Sequence, residues 1–178
     1  MALPAPPEPV TLVIGMLSSR PELLDRAETL LAERYGPVDL RSPVIDFTWT
    51  AYYEPQMGDN LKRRFISFTN RIDPGRLALI KLETNALEAD LAREHRFVTR
   101  PVNLDPGCVS GSKLVLASAK DRAQRIYLGQ GIYAEITLEF RNGGFRPVET
   151  TYPDYRSAAY IDFFTRVRER HLGRTPSG

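Results

Sequence analysis

Sulfur and imidazole chemistry are nearly absent from this chain: one cysteine and two histidines stand among 178 residues. A single cysteine excludes an internal disulfide, and together with two histidines it excludes an ordinary four-ligand Cys/His zinc cage. Such usage is expected of a protein in a reducing cytoplasm. Long hydrophobic runs are missing as well, so no segment reaches the roughly 20 apolar residues that a membrane helix needs. The opening MALPAPPEPV has no basic n-region and no apolar stretch of signal-peptide length. Its proline content reads as an extended tail over residues 1–9, matched by a polar tail over 173–178. Excess charge of either sign is lacking too, because 24 basic residues nearly match 22 acidic ones and leave +2. That balance permits a phosphate ligand and does not demand a nucleic acid. Internal repeats, heptads and complete catalytic motifs are also absent.

With 42% hydrophobic residues, residues 10–172 are expected to form one α+β domain with a real core. Val10 to Met16 is an apolar run of strand length, and Ser18-Ser19-Arg20-Pro21-Glu22 then supplies capping and first-turn residues for a helix. Leu23, Ala27, Leu30 and Leu31 recur at helical spacing until Gly36-Pro37. Val38 to Thr48 reads as a strand, followed by the aromatic loop Trp49 to Pro55; Leu61 to Phe68 can be drawn as a strand or a helix, and the strand is favoured because Arg63, Phe65 and Ser67 fall on one face and Arg64, Ile66 and Phe68 on the other. Asp73-Pro74 opens a second helix, whose buried stripe is Leu77, Ile80, Thr84, Leu87 and Leu91 and which ends near His95. A strand over Arg96 to Leu104 follows. This order is β-α-β-β-α-β, the ferredoxin-like arrangement of an antiparallel sheet carrying two helices on one face. The sheet is extended by Lys113 to Ala119, Arg125 to Leu128, Ile132 to Phe140 and Phe145 to Glu149. Turns at Gly129-Gln130-Gly131 and Asn142-Gly143 join these C-terminal antiparallel strands, and a final helix runs from about Arg156 to Arg170.

The densest polar chemistry lies between Arg100 and Glu135, where Arg100, Asn103, Asp105, Lys113, Lys120, Arg125, Tyr127 and Glu135 interleave with strand residues. Lysine is scarce, four residues against twenty arginines, so Lys62, Lys81, Lys113 and Lys120 are the more informative cations. Lys81, Thr84, Asn85 and Glu88 form one polar edge of the second helix. Asp105-Pro106-Gly107 reads as a turn that delivers Asn103 and Asp105 to a strand end. The segment Gly107 to Lys113 lacks the spacing of a phosphate loop, and Cys108 has no base placed near it by sequence. Asp154 is the expected N-cap of the last helix, whose free amides, with Arg156 and Tyr152, are suited to an anion. Alternation sets Glu135 with Tyr133 and Thr137, opposite Ala134, Ile136 and Leu138.

Thr50-Ala51-Tyr52-Tyr53, Met57-Gly58, Leu61-Lys62-Arg63, Lys81 with Thr84-Asn85 and Glu88, and Arg100 through Gly107 carry a further signal. Lys113 through Lys120, Arg125 through Gly129, Gly131 through Glu135 and Thr151 through Tyr155 continue it. Together they resemble the prokaryotic family called domain of unknown function 4416, over about residues 10 to 170. The resemblance implies a single-domain cytosolic protein and no particular activity. The family pattern has His where this chain has Gln124, and Tyr where it has Cys108.

Two functional classes follow, with a third beside them. A binder of a phosphorylated ligand, a nucleotide or a short RNA, would use Lys81, Arg100, Asn103, Lys113, Lys120, Arg125, Tyr127 and Arg156, with Tyr52, Tyr53 and Tyr152 for stacking. An enzyme would use Asp105, Glu135 and Asp154 as an acid/base pair or as oxygen ligands for a divalent ion such as Mg²⁺. A protein-interaction module is the third class, and it requires the Trp49 to Pro55 loop to form an exposed apolar patch.

Overall fold

The computed structural model describes residues 3–173. The proposed tail over 173–178 therefore lies, apart from Gly173, outside the described residues, as do Met1 and Ala2. The chain runs β1 (Val10–Ser18), α1 (Pro21–Tyr35), β2 (Val38–Arg41), β3 (Ile45–Asp46), α2 (Glu54–Met57) and β4 (Lys62–Ile72). It continues through α3 (Leu77–Glu94), β5 (Asn103–Val109), β6 (Lys113–Ser118), β7 (Ile126–Gly129), β8 (Ile132–Arg141), β9 (Gly144–Pro147) and α4 (Ala158–His171). The fold is a mixed one, four helices on a large antiparallel sheet.

The strand order is β2-β4-β1-β5-β6-β8-β7, with β3 added to β4 and β9 to β8. β1 is buried at every residue because both of its faces are covered. Leu12, Ile14 and Met16 pack with Leu24, Ala27 and Leu31 of α1 and with Leu77, Ile80 and Leu91 of α3. Val13 faces the other way, into a cluster closed by α4. There Phe65 lies 4.5–5.8 Å, ring centre to ring centre, from Tyr155, Tyr160, Phe163 and Phe164. The last helix thus covers the face opposite α1 and α3.

Local expectations fail at four places, each for a readable reason. β1 continues to Ser18, so the serines do not cap α1. Ser18 Oγ donates to the Pro101 carbonyl at 2.7 Å, and α1 opens on Pro21 with no capping side chain. The stretch from Val38 to Thr48 is broken at Ser42-Pro43, where Ser42 Oγ takes the Phe65 amide at 2.9 Å. Asp154 is not the N-cap of α4: it begins the 3-10 turn Asp154–Arg156, and Ser157 precedes the helix instead.

The fourth difference matters most for the candidate site. Asp105-Pro106-Gly107 is not a turn, and the strand expected at Arg96 to Leu104 begins only at Asn103 and runs through it. β5 pairs with β1 along its whole length, Leu17↔Asn103 to Thr11↔Val109. With β6 it pairs only from Gly107 to Val109. A Cβ on Gly107 would stand 2.5 Å from the Val115 carbonyl oxygen, so a side chain is excluded where the two strands meet. Pro106 brings no amide to the ladder just where β6 departs. The sheet therefore splits between the first half of β5 and the last residues of β6.

The hairpin at Asn142-Gly143 is as expected, with positive φ at both residues (51° and 78°).

Candidate functional site

The split leaves the Leu104 amide and carbonyl without a strand partner on the β6 side, and α3 replaces it. Glu88 Oε1 accepts from Leu104 N at 2.7 Å, and Lys81 Nζ donates to Leu104 O at 2.7 Å. Both side chains are buried, which explains two charged residues on the inner face of a helix. Thr84 on the same stripe sends its hydroxyl to the Lys81 carbonyl at 3.0 Å.

From this edge a chain of charges runs across the sheet. Arg100 Nε and Nη2 donate to Glu88 Oε2 at 2.9 and 2.7 Å, and Arg100 also donates to the Asn103 side-chain oxygen. Asn103 Nδ2 donates to Asp105 Oδ2 at 2.6 Å. The same oxygen receives Arg63 Nη1 at 3.1 Å, while Lys81 Nζ stands 3.9 Å from Oδ1. Arg63, only 2% exposed, reaches Asp154 Oδ2 at 4.0 Å and lies over the rings of Phe47 and Phe65. Its room is provided by Gly15, where an added Cβ would stand 3.1 Å from Arg63 Nη1.

The electrostatics separate the carboxylates. Burial pushes Asp105 up, but Lys81, Arg63 and Arg100 outweigh it and hold the group below the ordinary Asp value. Burial raises Asp154 against the pull of Arg63 and nearby amides. Glu88 is likewise pushed up by burial, against Lys81 and Arg100. Tyr53, half-buried above this centre, is raised to about 12 by burial and by the Asp105 charge.

A second network stands on the β6 side of the split. Arg125 Nη2 meets Glu135 Oε1 at 2.9 Å, with side chains 3% and 5% exposed. Arg125 Nη1 donates to Ser118 Oγ and to the Lys120 carbonyl, both at 2.7 Å, and Nη2 donates to the Tyr152 hydroxyl at 2.6 Å. Gln124 Nε2 donates to the other Glu135 oxygen at 3.1 Å. Lys120 Nζ donates to the exposed Tyr52 hydroxyl at 2.7 Å. The two networks meet at the aromatic loop, where the rings of Tyr52 and Tyr53 are 5.1 Å apart, edge to face.

Lys81, Arg100, Asn103, Asp105 and Asp154 thus share one network; Lys120, Arg125, Glu135, Tyr52 and Tyr152 share its neighbour; Tyr53 lies between. Lys113 belongs to neither. It is exposed at the opposite end of β6 from Ser118 and pairs in register with Glu139. Tyr127 packs on Tyr133 at 5.2 Å and accepts from the Gly131 amide within its own hairpin. Arg156 is spent on the carbonyls of Val148, Glu149 and Thr151, which it holds as a turn.

Asp105, Glu135 and Asp154 do not share one set of partners: Glu135 is committed to Arg125 and Gln124 while the other two face Arg63. No group of three His, Cys, Asp or Glu suited to a metal occurs among the described residues. The alternation around Glu135 is interrupted as well. A register shift between Leu114 and Val115 pairs them with Leu138 and Ile136, so Leu138 joins the α4 core while Ile136 stays 41% exposed. In the aromatic loop Trp49 and Tyr52 are exposed, whereas Tyr53 packs on Phe47 and the loop is only partly an apolar patch.

Sequence reasoning missed the hub. Arg63 was placed on the face of Phe65 and Ser67 and then passed over. A guanidinium alternating with buried aromatic residues in a central strand was the available signal. Ser118 was missed too, and nothing in the sequence marks it, whereas Gln124 had stood out only as the position where the family pattern has His.

The chain matches the family profile described as Domain of unknown function (DUF4416) over residues 8–171, and it belongs to that family. No curated protein and no solved structure matches it.

Proposed function

We propose that this DUF4416 domain is a cytoplasmic binder of a phosphorylated anion, a nucleotide or a short RNA element, held where the aromatic loop meets the split between β5 and β6. The observation that carries the reading is the surplus of positive charge at Tyr52. Four cations of the two networks are matched by carboxylates: Arg63 by Asp105, Lys81 by Asp105, Arg100 by Glu88 and Arg125 by Glu135. Among the described residues Lys120 is matched only by a phenol, at 2.7 Å from the Tyr52 hydroxyl and 4.5 Å from its ring centre. Lys120, through its hydrogen bond and charge, then Arg100 and Arg122, lower the pKa of this exposed tyrosine. An anion that accepts from Lys120 satisfies that surplus, and the rings of Tyr52 and Tyr152, 63% and 42% exposed, offer faces to a base. The carboxylates behind the cations fix their positions and leave the rim to bind. For the scaffold, β1-α1-β2-β4-α3-β5 in the order β2-β4-β1-β5 is read as the ferredoxin-like unit, with β6 to β9 as its extension.

The test is a melting screen against nucleoside phosphates, sugar phosphates and RNA oligomers, followed by titration of any hit at two salt concentrations. Lys120→Ala is expected to abolish the stabilisation while leaving the unliganded melting temperature near wild type, since the side chain is exposed. A screen without a stabilising anion, or a hit that stabilises Lys120→Ala equally, refutes the reading.

A further inference from the structure

Lys113 is left unexplained by this reading, and it borders a different cavity. On the face covered by α1 and α3, the sheet runs on from the strands that α3 packs against, β5, β6 and β8, to the edge strand β7. There a cavity of about 450 Å³ opens, walled by Val10, Leu77, Cys108, Val115, Leu128 and Ala134, with Lys113 on its lining. The volume lies in the range of small-ligand sites, which are mostly apolar with a few polar groups that fix orientation. The polar residues of the lining are Glu8, Ser110, Ser112 and Lys113, and the two serines are engaged with each other and with the backbone of their own turn. The Lys113 ammonium makes no hydrogen bond or ion pair among the described residues, and Glu8, also on the lining, is not within ion-pair distance of it. Leu128 remains 42% exposed and Ile126, two residues earlier on the same strand, 72% exposed. Cys108 is pushed up to about 11, chiefly by burial, so its thiol stays neutral and acts as part of the apolar wall.

We infer that this cavity binds an amphipathic monocarboxylate, its aliphatic chain laid between Leu77, Val115, Leu128 and Ala134 and its head paired with Lys113. Charge complementarity selects the head, because among the described residues Lys113 forms no ion pair with Glu139, its cross-strand neighbour, or with Glu8, and it stands beside an apolar wall. Glu8 on the same lining disfavours a second negative charge. The chain buries apolar surface of β7 that the fold leaves in water, at roughly 25 cal/mol per Å². The site is separate from the Lys120 rim, so the two readings stand or fall independently.

The experiment uses the whole chain with isotope-labelled methyl groups, titrated with decanoate and, in parallel, with decanol. Saturable shifts are expected at the methyls of Val10, Leu77, Val115 and Leu128, with decanoate the tighter ligand. Lys113→Glu, a surface change, should weaken decanoate roughly ten-fold and leave decanol unchanged. Lys120→Ala should leave both unchanged. Val115→Trp, or Ala134→Leu should the first variant fail to fold, fills the cavity and removes both. The inference is overturned by an absence of saturable shifts at these methyls, by equal affinity for decanoate and decanol, or by decanoate binding that ignores Lys113→Glu.

Discussion

Arg63→Met is the sharpest perturbation this fold offers. It removes a guanidinium that is 2% exposed and leaves an unbranched side chain to pack against Phe47 and Phe65. Deleting one partner of a buried ion pair costs about 3–5 kcal/mol, because the other charge stays behind. Here Asp105 keeps Asn103 at 2.6 Å and Lys81 at 3.9 Å, and its side chain is 26% exposed, so the cost belongs at the lower end. A loss of about 3 kcal/mol in a domain of this size lowers the melting temperature by roughly 6–12 °C. Lys62→Met is the control, since the neighbouring pair Lys62–Asp46 has side chains 31% and 75% exposed and is worth about 0–1 kcal/mol.

Urea unfolding of wild type, Arg63→Met, Asp105→Asn and the double variant closes a cycle whose coupling energy isolates the pair. The pH dependence supplies a sign. Asp105 is held below the ordinary 3.8 in the folded state, so its contribution is fully present above that value. It is lost as pH falls through the lower folded value. The stability gap between wild type and Asp105→Asn should therefore be flat above pH 3.8 and shrink below it. An Arg63→Met variant as stable as Lys62→Met, or a cycle with no coupling, refutes the assignment of Arg63 as the hub.

Gly107→Ala should cost about 1–3 kcal/mol, because its Cβ would meet the Val115 carbonyl oxygen at 2.5 Å and Leu116 Cδ2 at 2.6 Å. The measurement is the urea midpoint at constant m, and an unshifted midpoint would show that the strands do not approach so closely. The Tyr52 phenol is held below its ordinary value first by the hydrogen bond from Lys120. In Lys120→Ala, ultraviolet titration should find the Tyr52 step moved upward, and an unmoved step removes Lys120 from the site.

Strand and helix positions were legible wherever period and punctuation agree, as in Val10 to Met16 or the hairpin at Asn142-Gly143. The candidate site was harder to read because its decisive event is a loss of pairing between strands distant in sequence. Asp105-Pro106-Gly107 has the composition of a turn, and only the register of β5 against both β1 and β6 shows it as a strand leaving a neighbour. Lys81 and Glu88 were recognisable as odd residues on a helix, but their partner is a backbone segment, Leu104, which has no side-chain signature. Lys113 and Arg125 look alike in sequence, both lying close to a strand; Arg125 is buried against Glu135 while Lys113 is exposed at the far end of β6.

The replacement of β6 by α3 along Leu104 bears on why so many charges are buried here. Buried ion pairs are weak contributors to stability, since apolar residues of equal volume often serve as well or better. A backbone amide and carbonyl left by a departing strand are another matter, because each must be satisfied or it costs a hydrogen bond. Glu88 and Lys81 satisfy both, and their charges are balanced in turn by Arg100 and Asp105. The polar chain is thus what permits β5 and β6 to separate. A continuous ladder would have closed the gap and left Asp105, Arg125 and the Tyr52 rim no open end of the sheet to face. The split and the charges that line it require one another, and the ligand site proposed at that opening rests on both.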